Sequence, residues 1–373
     1  MNFSTFRVLS CLSASALMTF GTGCAAESNE LATTDESTVA GKAELVRRPA
    51  IASGCPSAPG LRVVDCGAPL NAEVEAIVGE TVFSSVARTW DPNGPKDIYR
   101  QAFGTNRASL LLSNVVSFKA TQAAAYWLDT TRTRMFRRAT GATSVRSISA
   151  AQIGARVFVE FAATSLKLVF VDGLAGGNYF EMKADLSGAA RLTGYSASFS
   201  ESPFLPTIGS SIYGYAADGF GLGFLKRYGS SSASGITTIV NGLLQIRSNP
   251  VEDQERVYTL VRGNGFFVLR SYGQTSFAGS DLVTGIPDRG ENSFMLAMDS
   301  GRLFAARPQT ANGETNPVMA IDLGTGSASV ALSFAASGLK EPMSSAFAVY
   351  GDAPVQSTNV RVGAAQSVIA TTN

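Results

Sequence analysis

The chain has 373 residues, 30 basic and 29 acidic, is 45% hydrophobic, and contains 37 glycines and no histidine. A formal charge of +1 leaves no basic excess to neutralise phosphates, which excludes a general nucleic-acid binder. The missing imidazole excludes Ser-His-Asp and Cys-His nucleophiles, His-ligated zinc and imidazole acid–base chemistry. Carboxylate pairs, Ser-Lys chemistry, oxygen-ligated calcium or magnesium, or no catalysis are what remain.

The first seven residues, MNFSTFR, carry one charge, Arg7, and no acid precedes Glu27. Residues 8–20 are apolar or small, too few to span a bilayer, which takes about 20. A basic start, a short apolar middle and a small-residue end are the parts of a secretory signal. The end, Gly21-Thr22-Gly23-Cys24, resembles a bacterial lipobox, with Gly21 where that pattern usually has Leu. The resemblance implies a lipoprotein-type signal over 1–23 and lipidation of Cys24; ordinary cleavage after Ala25 or Ala26 is the alternative. Removing Arg7 with the leader leaves basic and acidic totals equal at 29. From there to residue 50, aromatic residues are absent and Ala, Glu, Ser and Thr dominate. Such a composition buries too little to offset its ordering entropy, and 24–50 is expected to be a disordered tether.

Two of the four cysteines, Cys11 and Cys24, belong to the leader, and two, Cys55 and Cys66, to the body. An isolated pair in an exported chain is most simply a disulfide, whose short loop would contribute about 2–3 kcal/mol. A redox or metal pair would need accompanying ligands that the sequence does not supply.

Over 51–373 an Asp or Asn turn recurs between runs of strand-forming residues. The anchors are Asp91, Asp129, Asp172, Asp218, Asn264, Asn312 and Asp352, about 44 residues apart. Asp172-Gly173, Asp218-Gly219, Asn264-Gly265 and Asn312-Gly313 are hairpin signals, because type I′ turns need positive φ. Upstream runs, such as 114–118, 155–158, 242–246 and 331–334, and downstream runs, such as 108–112, 143–148, 189–193, 235–240, 281–284, 327–332 and 365–370, complete four short strands per unit. This is the spacing of β-propeller blades. We therefore expect an all-β propeller of seven blades, with six as the alternative count. Its competitors are a β-sandwich, which lacks this regular period, and a membrane barrel, which needs longer strands. Leader, tether and repeat together resemble the general class of bacterial β-propeller lipoproteins.

The segment Gly219–Phe224 echoes a phosphate loop, but strand residues follow it where a helix would be required, so a hairpin is expected. The anchor acids lack the alternating oxygen ligands of a calcium loop and read as turn formers. The densest basic run, TRTRMFRR, offers Arg134, Arg137 and Arg138 as candidate contacts to a carboxylated or phosphorylated polymer, with Arg146 just beyond. The alternative is a solvated outer strand protected by its charge. Tyr213, Tyr215, Tyr228, Tyr258 and Tyr272, with Phe220, Phe224, Phe266 and Phe267, suit packing between blades or stacking on sugars.

The expected function is a non-enzymatic binding or scaffold propeller of the cell envelope, lipid-anchored at the outer membrane or cell surface. If Cys24 is not lipidated, the chain is secreted or periplasmic. The ligand would be a protein, peptide or glycan, and no cofactor or metal is called for. One alternative is a glycan hydrolase or lyase using Asp97, Glu181, Asp185 or Glu201. Another is a structural part of an envelope assembly.

Overall fold

The computed structural model describes residues 61–372 apart from 174–177, 193–210, 218–222, 229–235, 288–294, 307–317, 333–346, 359–367 and several gaps of one to three residues. Cys24, Cys55, the tether and Glu201 therefore lie outside the described residues. Among the described residues all the regular structure is β apart from one 3-10 turn, Ala150–Ile153.

β1 (Leu61–Asp65) opens the described chain. A first antiparallel meander follows as β2 (Glu73–Val78), β3 (Thr81–Ala87), β4 (Lys96–Ala102) and β5 (Ser109–Val115). A second comprises β6 (Ser117–Ala120), β7 (Ala124–Leu128), β8 (Arg134–Ala139) and β9 (Arg146–Ser149). The third holds β10 (Phe158–Ala163), β11 (Lys167–Asp172), β12 (Tyr179–Lys183) and β13 (Ala190–Arg191), and the fourth β14 (Ile212–Ala217), β15 (Gly223–Tyr228) and β16 (Ile236–Gly242). In the fifth, β17 (Gln245–Ile246) and β18 (Val251–Glu252) both pair with β19 (Arg256–Arg262), which continues to β20 (Phe266–Gly273) and β21 (Gly279–Pro287). The sixth is β22 (Met295–Asp299), β23 (Arg302–Ala306), β24 (Val318–Asp322) and β25 (Ala328–Leu332). In the last, β26 (Phe347–Tyr350), β27 (Ala353–Thr358) and β28 (Val368–Thr372) are completed by β1, which pairs antiparallel with β28. A strand from the start of the body thus closes the sheet built from its end.

The innermost strands pack in succession, β2 on β6, β6 on β10, β18 on β22, β22 on β26, and β26 back on β2, so the chain is a β-propeller. Among the described residues the strands fall into seven sheets, and five of these, rather than all seven, are regular four-stranded blades. The fourth sheet shows three strands. The fifth has its first strand broken in two: β17 and β18 pair separately with β19, and Pro250, which has no N–H to give a ladder, immediately precedes the second piece.

Where burial is described, the inner strands are buried on both faces, as β11 and β19 are, which is why they read as nearly continuous apolar runs. In β11, Leu168 and Phe170 point into a core shared with Tyr126, Leu128 and Met135 of the second sheet. The alternate residues Val169 and Val171 enter the next core, with Ile212 and Tyr228 of the fourth sheet. Tyr213 and Tyr272 fill the next gap, and Tyr258 and Phe267 the one after, so these expected aromatics pack between blades. Every described core is shared by two neighbouring sheets.

Three local expectations are corrected. The upstream runs straddle blade boundaries: β5 extends to Val115 and β6 starts at Ser117, with Asn114 at φ 61° next to the crossing. The hairpin glycines differ from one another. Gly265 has the left-handed φ of 78°, whereas Gly173 is absent from the positive-φ residues and is needed for space, since a Cβ there would meet Val159 Cγ2 at 2.1 Å. Finally, β26 and β27, whose connection contains Asp352, are the first and second strands of their sheet. Asp91, Asp129, Asn264 and Asn312 fall between second and third strands and Asp172 ends a second strand, so the seventh anchor is one strand out of phase with these.

Candidate functional site

The basic run of the sequence lies on β8, which pairs with β7 on one side and β9 on the other. It is an interior strand, and the expectation of a solvated outer edge is corrected; β9 takes that place. Strand alternation sends its arginines in opposite directions. Phe136 stacks on Trp127, with ring centroids 5.6 Å apart, against the core shared with Phe83 and Phe118, so Arg134 and Arg138 share the face toward the first sheet. Met135 is buried in the opposite core, and Arg137 shares that face. There Arg137 lies by Tyr126, whose phenol is pushed up by burial, partly offset by Arg137, and donates to the Ala184 carbonyl at 2.9 Å. The three arginines therefore do not form one patch. Arg134 is exposed beside the Asp129 turn, Arg137 is committed between blades, and Arg138 reaches a cavity.

That cavity, about 510 Å³, opens between the first and second sheets. The first sheet contributes the β2–β3 turn around Gly79, then Thr81 and Phe83, with Arg100 from β4 and Leu111 from β5. The second contributes Thr121, Gln122, Ala124 and Ala125 around the β6–β7 turn, and Arg138 through Ala142 at the end of β8. Small residues leave the space unfilled: alanines stand at 124, 125, 139 and 142, and glycines at 79 and 141. The frame is tied together across the turns. Thr140 donates its N–H to the Ala123 carbonyl at 2.9 Å and its hydroxyl to the Gln122 carbonyl at 2.8 Å. Two guanidinium groups line the cavity and no carboxylate does. Among the described residues neither Arg100 nor Arg138 forms an ion pair, in contrast with Arg88 and Arg270, which hold Asp97 and Asp281. The sequence singled out Arg138 but missed Arg100, which lies in KDIYRQA with only Lys96 for a basic neighbour on its face and outside any dense basic run.

The described acids considered for catalysis are engaged elsewhere. Asp97 accepts from Arg88 Nε at 2.7 Å, Ser113 Oγ at 2.9 Å and Asn114 N at 3.0 Å. Chiefly the Arg88 guanidinium holds it below the usual carboxylate range. Asp185 closes a turn on the hydroxyl and N–H of Ser187, at 2.5 and 3.0 Å, and these lower its pKa. Glu181 lies 3.7 Å from Lys167, whose ammonium also donates to the Tyr228 carbonyl at 3.1 Å. Among the described residues no three His, Cys, Asp or Glu side chains gather in a way that would hold a metal ion.

The described anchor acids are turn acceptors on the rim opposite the cavity. Asp129 Oδ1 receives the N–H groups of Thr133 and Arg134 at 2.9 and 3.1 Å, and Asp91 Oδ1 that of Asn93 at 2.9 Å. Asp172 reaches back to the Arg156 N–H at 3.0 Å.

No family model matches the chain, and no curated protein matches it. Among solved structures it is similar to an oligogalacturonate lyase in complex with manganese, at 10% identity over 79% of this chain and 86% of that one, with a TM-score of 0.52. An oligogalacturonate lyase from Vibrio parahaemolyticus matches at 11% identity over 81% and 89%, with a TM-score of 0.51. The β-propeller domain of the Trilobed protease from Pyrococcus furiosus matches at 9% identity over 81% and 95%, with a TM-score of 0.51. At such identities the likeness is one of fold, and that fold is the propeller.

Proposed function

We propose that this chain is a non-enzymatic binding propeller of the cell envelope, lipid-anchored through Cys24, that takes an anionic glycan between its first and second blades. The observation that carries this reading is the cavity lined by Arg100 and Arg138, two guanidinium groups without a carboxylate partner in a walled space. Small-molecule sites commonly enclose about 300–1,000 Å³, and guanidinium is suited to oxyanions. The acid-free leader and the aromatic-free tether support an extracytoplasmic place at the outer membrane or cell surface, and a Cys55–Cys66 bridge fits that compartment.

The enzymatic alternative draws on the lyases and protease among the fold neighbours. Against it stand Asp97, Asp185 and Glu181, each already held by donors of its own blade. Incubating the purified chain with a panel of acidic and neutral envelope glycans tests both readings. We expect salt-sensitive retention of acidic glycans without turnover. Chain cleavage of any glycan, lost in Asp97→Asn or Glu181→Gln, would replace this reading with the enzymatic one. Mass spectrometry of the mature N-terminus is expected to show a lipid on Cys24, and non-reducing peptide mapping a Cys55–Cys66 linkage.

A further inference from the structure

We infer that the group recognised in the inter-blade cavity is the carboxylate of a single acidic sugar ring, clamped by Arg138 and Arg100; this rests on the binding reading above. The argument starts from what the walls are made of. Two fixed cations face a space that contains no acid, so the occupant is anionic. Around them stand three hydroxyls, Thr81, Thr121 and Thr140, and the Gln122 amide, spread over both blades. A simple inorganic anion would need donors converging on one point. Dispersed donors and acceptors instead match a ring carrying hydroxyls at several corners. The remaining wall, Phe83, Leu111 and the alanines, is apolar, which suits the C–H face of a sugar.

The two arginines also come from different blades, β4 of the first and β8 of the second. A planar carboxylate accepts bidentate contacts from guanidinium, and a group bridging two such forks is held at both ends. The β6–β7 and β8–β9 connections are tied by both bonds from Thr140, so this wall is formed before the ligand arrives. A preformed wall lowers the ordering cost of binding a small ligand.

Glucuronate, glucose and inorganic phosphate are the probes, titrated calorimetrically into the purified full chain. Glucuronate and glucose differ only in the carboxylate, and phosphate supplies charge without the ring. We expect glucuronate to bind and glucose to bind about 10-fold more weakly or worse, with phosphate failing to compete at equal concentration. Arg138→Ala is expected to weaken glucuronate binding by about 10-fold or more, Arg100→Ala comparably, and Arg138→Lys by less, since charge remains but the fork is lost. Amide shifts at Gly79, Thr121, Thr140 and Gly141 in the wild-type chain give a second readout that requires no variant to fold. Equal binding of glucose and glucuronate, full competition by phosphate, unchanged binding in both alanine variants, or shifts confined to other blades would each overturn the inference. Acidic-glycan retention without glucuronate binding sinks this inference and leaves the proposed function standing. Loss of all glycan retention removes both.

Discussion

The side-chain amide of Asn249 bonds twice to one residue of the neighbouring sheet. Leu296 donates its N–H to Oδ1 at 2.7 Å, and its carbonyl accepts from Nδ2 at 3.0 Å. Leu296 lies on β22, the innermost strand of the sixth sheet, and both residues are buried. An innermost strand has one edge without a ladder partner, and unpaired backbone groups there are costly when buried. The break between β17 and β18 is what brings Asn249 to that edge. The same break leaves part of β19 without a strand beside it, and Ser248 Oγ fills the gap by accepting the Leu260 N–H at 2.8 Å. An interruption of one blade's first strand thus becomes a latch to the next blade.

Replacing Asn249 by Ala strands a buried donor and a buried acceptor together. We expect a loss of about 2–4 kcal/mol, read from denaturant midpoints. Asn249→Asp keeps an acceptor for the Leu296 N–H but sets a carboxylate against the Leu296 carbonyl, so it should be no better than Ala. A loss below about 0.5 kcal/mol in both variants would show that water replaces the amide there.

A second close approach joins the fifth and sixth sheets. Gly326, at φ 69° in the β24–β25 turn, has no room for a side chain, because a Cβ would meet the Leu282 carbonyl oxygen at 2.7 Å. Backbone cannot swing aside as a side-chain tip does. Gly154 shares the left-handed conformation, at φ 73°, but faces open space. Gly154→Ala is therefore expected to cost about 1–2 kcal/mol from conformation alone. Gly326→Ala adds overpacking and should exceed it by at least about 1 kcal/mol. Thermal unfolding of the two variants side by side separates the terms, and equal losses would mean that the turn moves away from Leu282.

Much of this architecture was legible because propeller packing is repetitive. Alternating residues of β11, Leu168 and Phe170 against Val169 and Val171, serve two cores, so the strand shows as an apolar run bounded by turn residues. Asp129 announces its turn because its carboxylate accepts two backbone N–H groups, of Thr133 and Arg134, locally. Less was legible where the outcome depends on residues distant in sequence. Nothing in LRVVD says that β1 pairs with β28, and without that pairing the last unit is one strand out of phase. The candidate site was half visible. Arg138 stood out through its basic neighbours, yet Arg137 faces the opposite core and Arg134 lies at the other end of β8, while Arg100 joins it only because two blades abut. A cavity made by absent side chains, at Ala124, Ala125, Ala139 and Gly141, has no sequence signal other than small residues near turns.

Between the fourth and fifth sheets the Tyr213 hydroxyl donates to Glu252 Oε2 at 2.5 Å, while Glu252 Oε1 takes the Ser211 N–H at 2.9 Å. Burial, then the Glu252 carboxylate, pushes the Tyr213 phenol well above the ordinary tyrosine range. Tyr213→Phe removes a bond to a charged acceptor and is expected to cost about 1–3 kcal/mol in chemical denaturation. It also has a spectroscopic counterpart. Ultraviolet titration of the folded chain should give the same phenolate absorbance for wild type and Tyr213→Phe through the ordinary tyrosine range. A smaller signal in the variant there would show that Tyr213 ionises normally and that its bond to Glu252 is weak.

Asp97 supplies a pH dependence whose direction is fixed by its donors. The Arg88 guanidinium does most to hold its pKa below the usual carboxylate value, and the Asn114 N–H and Ser113 hydroxyl add to this against the effect of burial. A proton therefore binds the unfolded chain at a higher pH than it binds the folded one. The stability contributed by ionised Asp97 is complete above its unfolded pKa and is lost as pH falls through the lower folded value. Asp97→Asn cannot take up that proton. The variant is expected to be less stable than wild type at neutral pH, with the gap narrowing steadily once the medium is acid enough to protonate the wild-type carboxylate. Urea midpoints for both proteins across the acid range provide the measurement. A gap that stays constant with pH would assign the loss to altered packing of the carboxamide against Ser113 and Asn114, and would show that the Arg88–Asp97 pair is not what ties the β3–β4 connection to the end of β5.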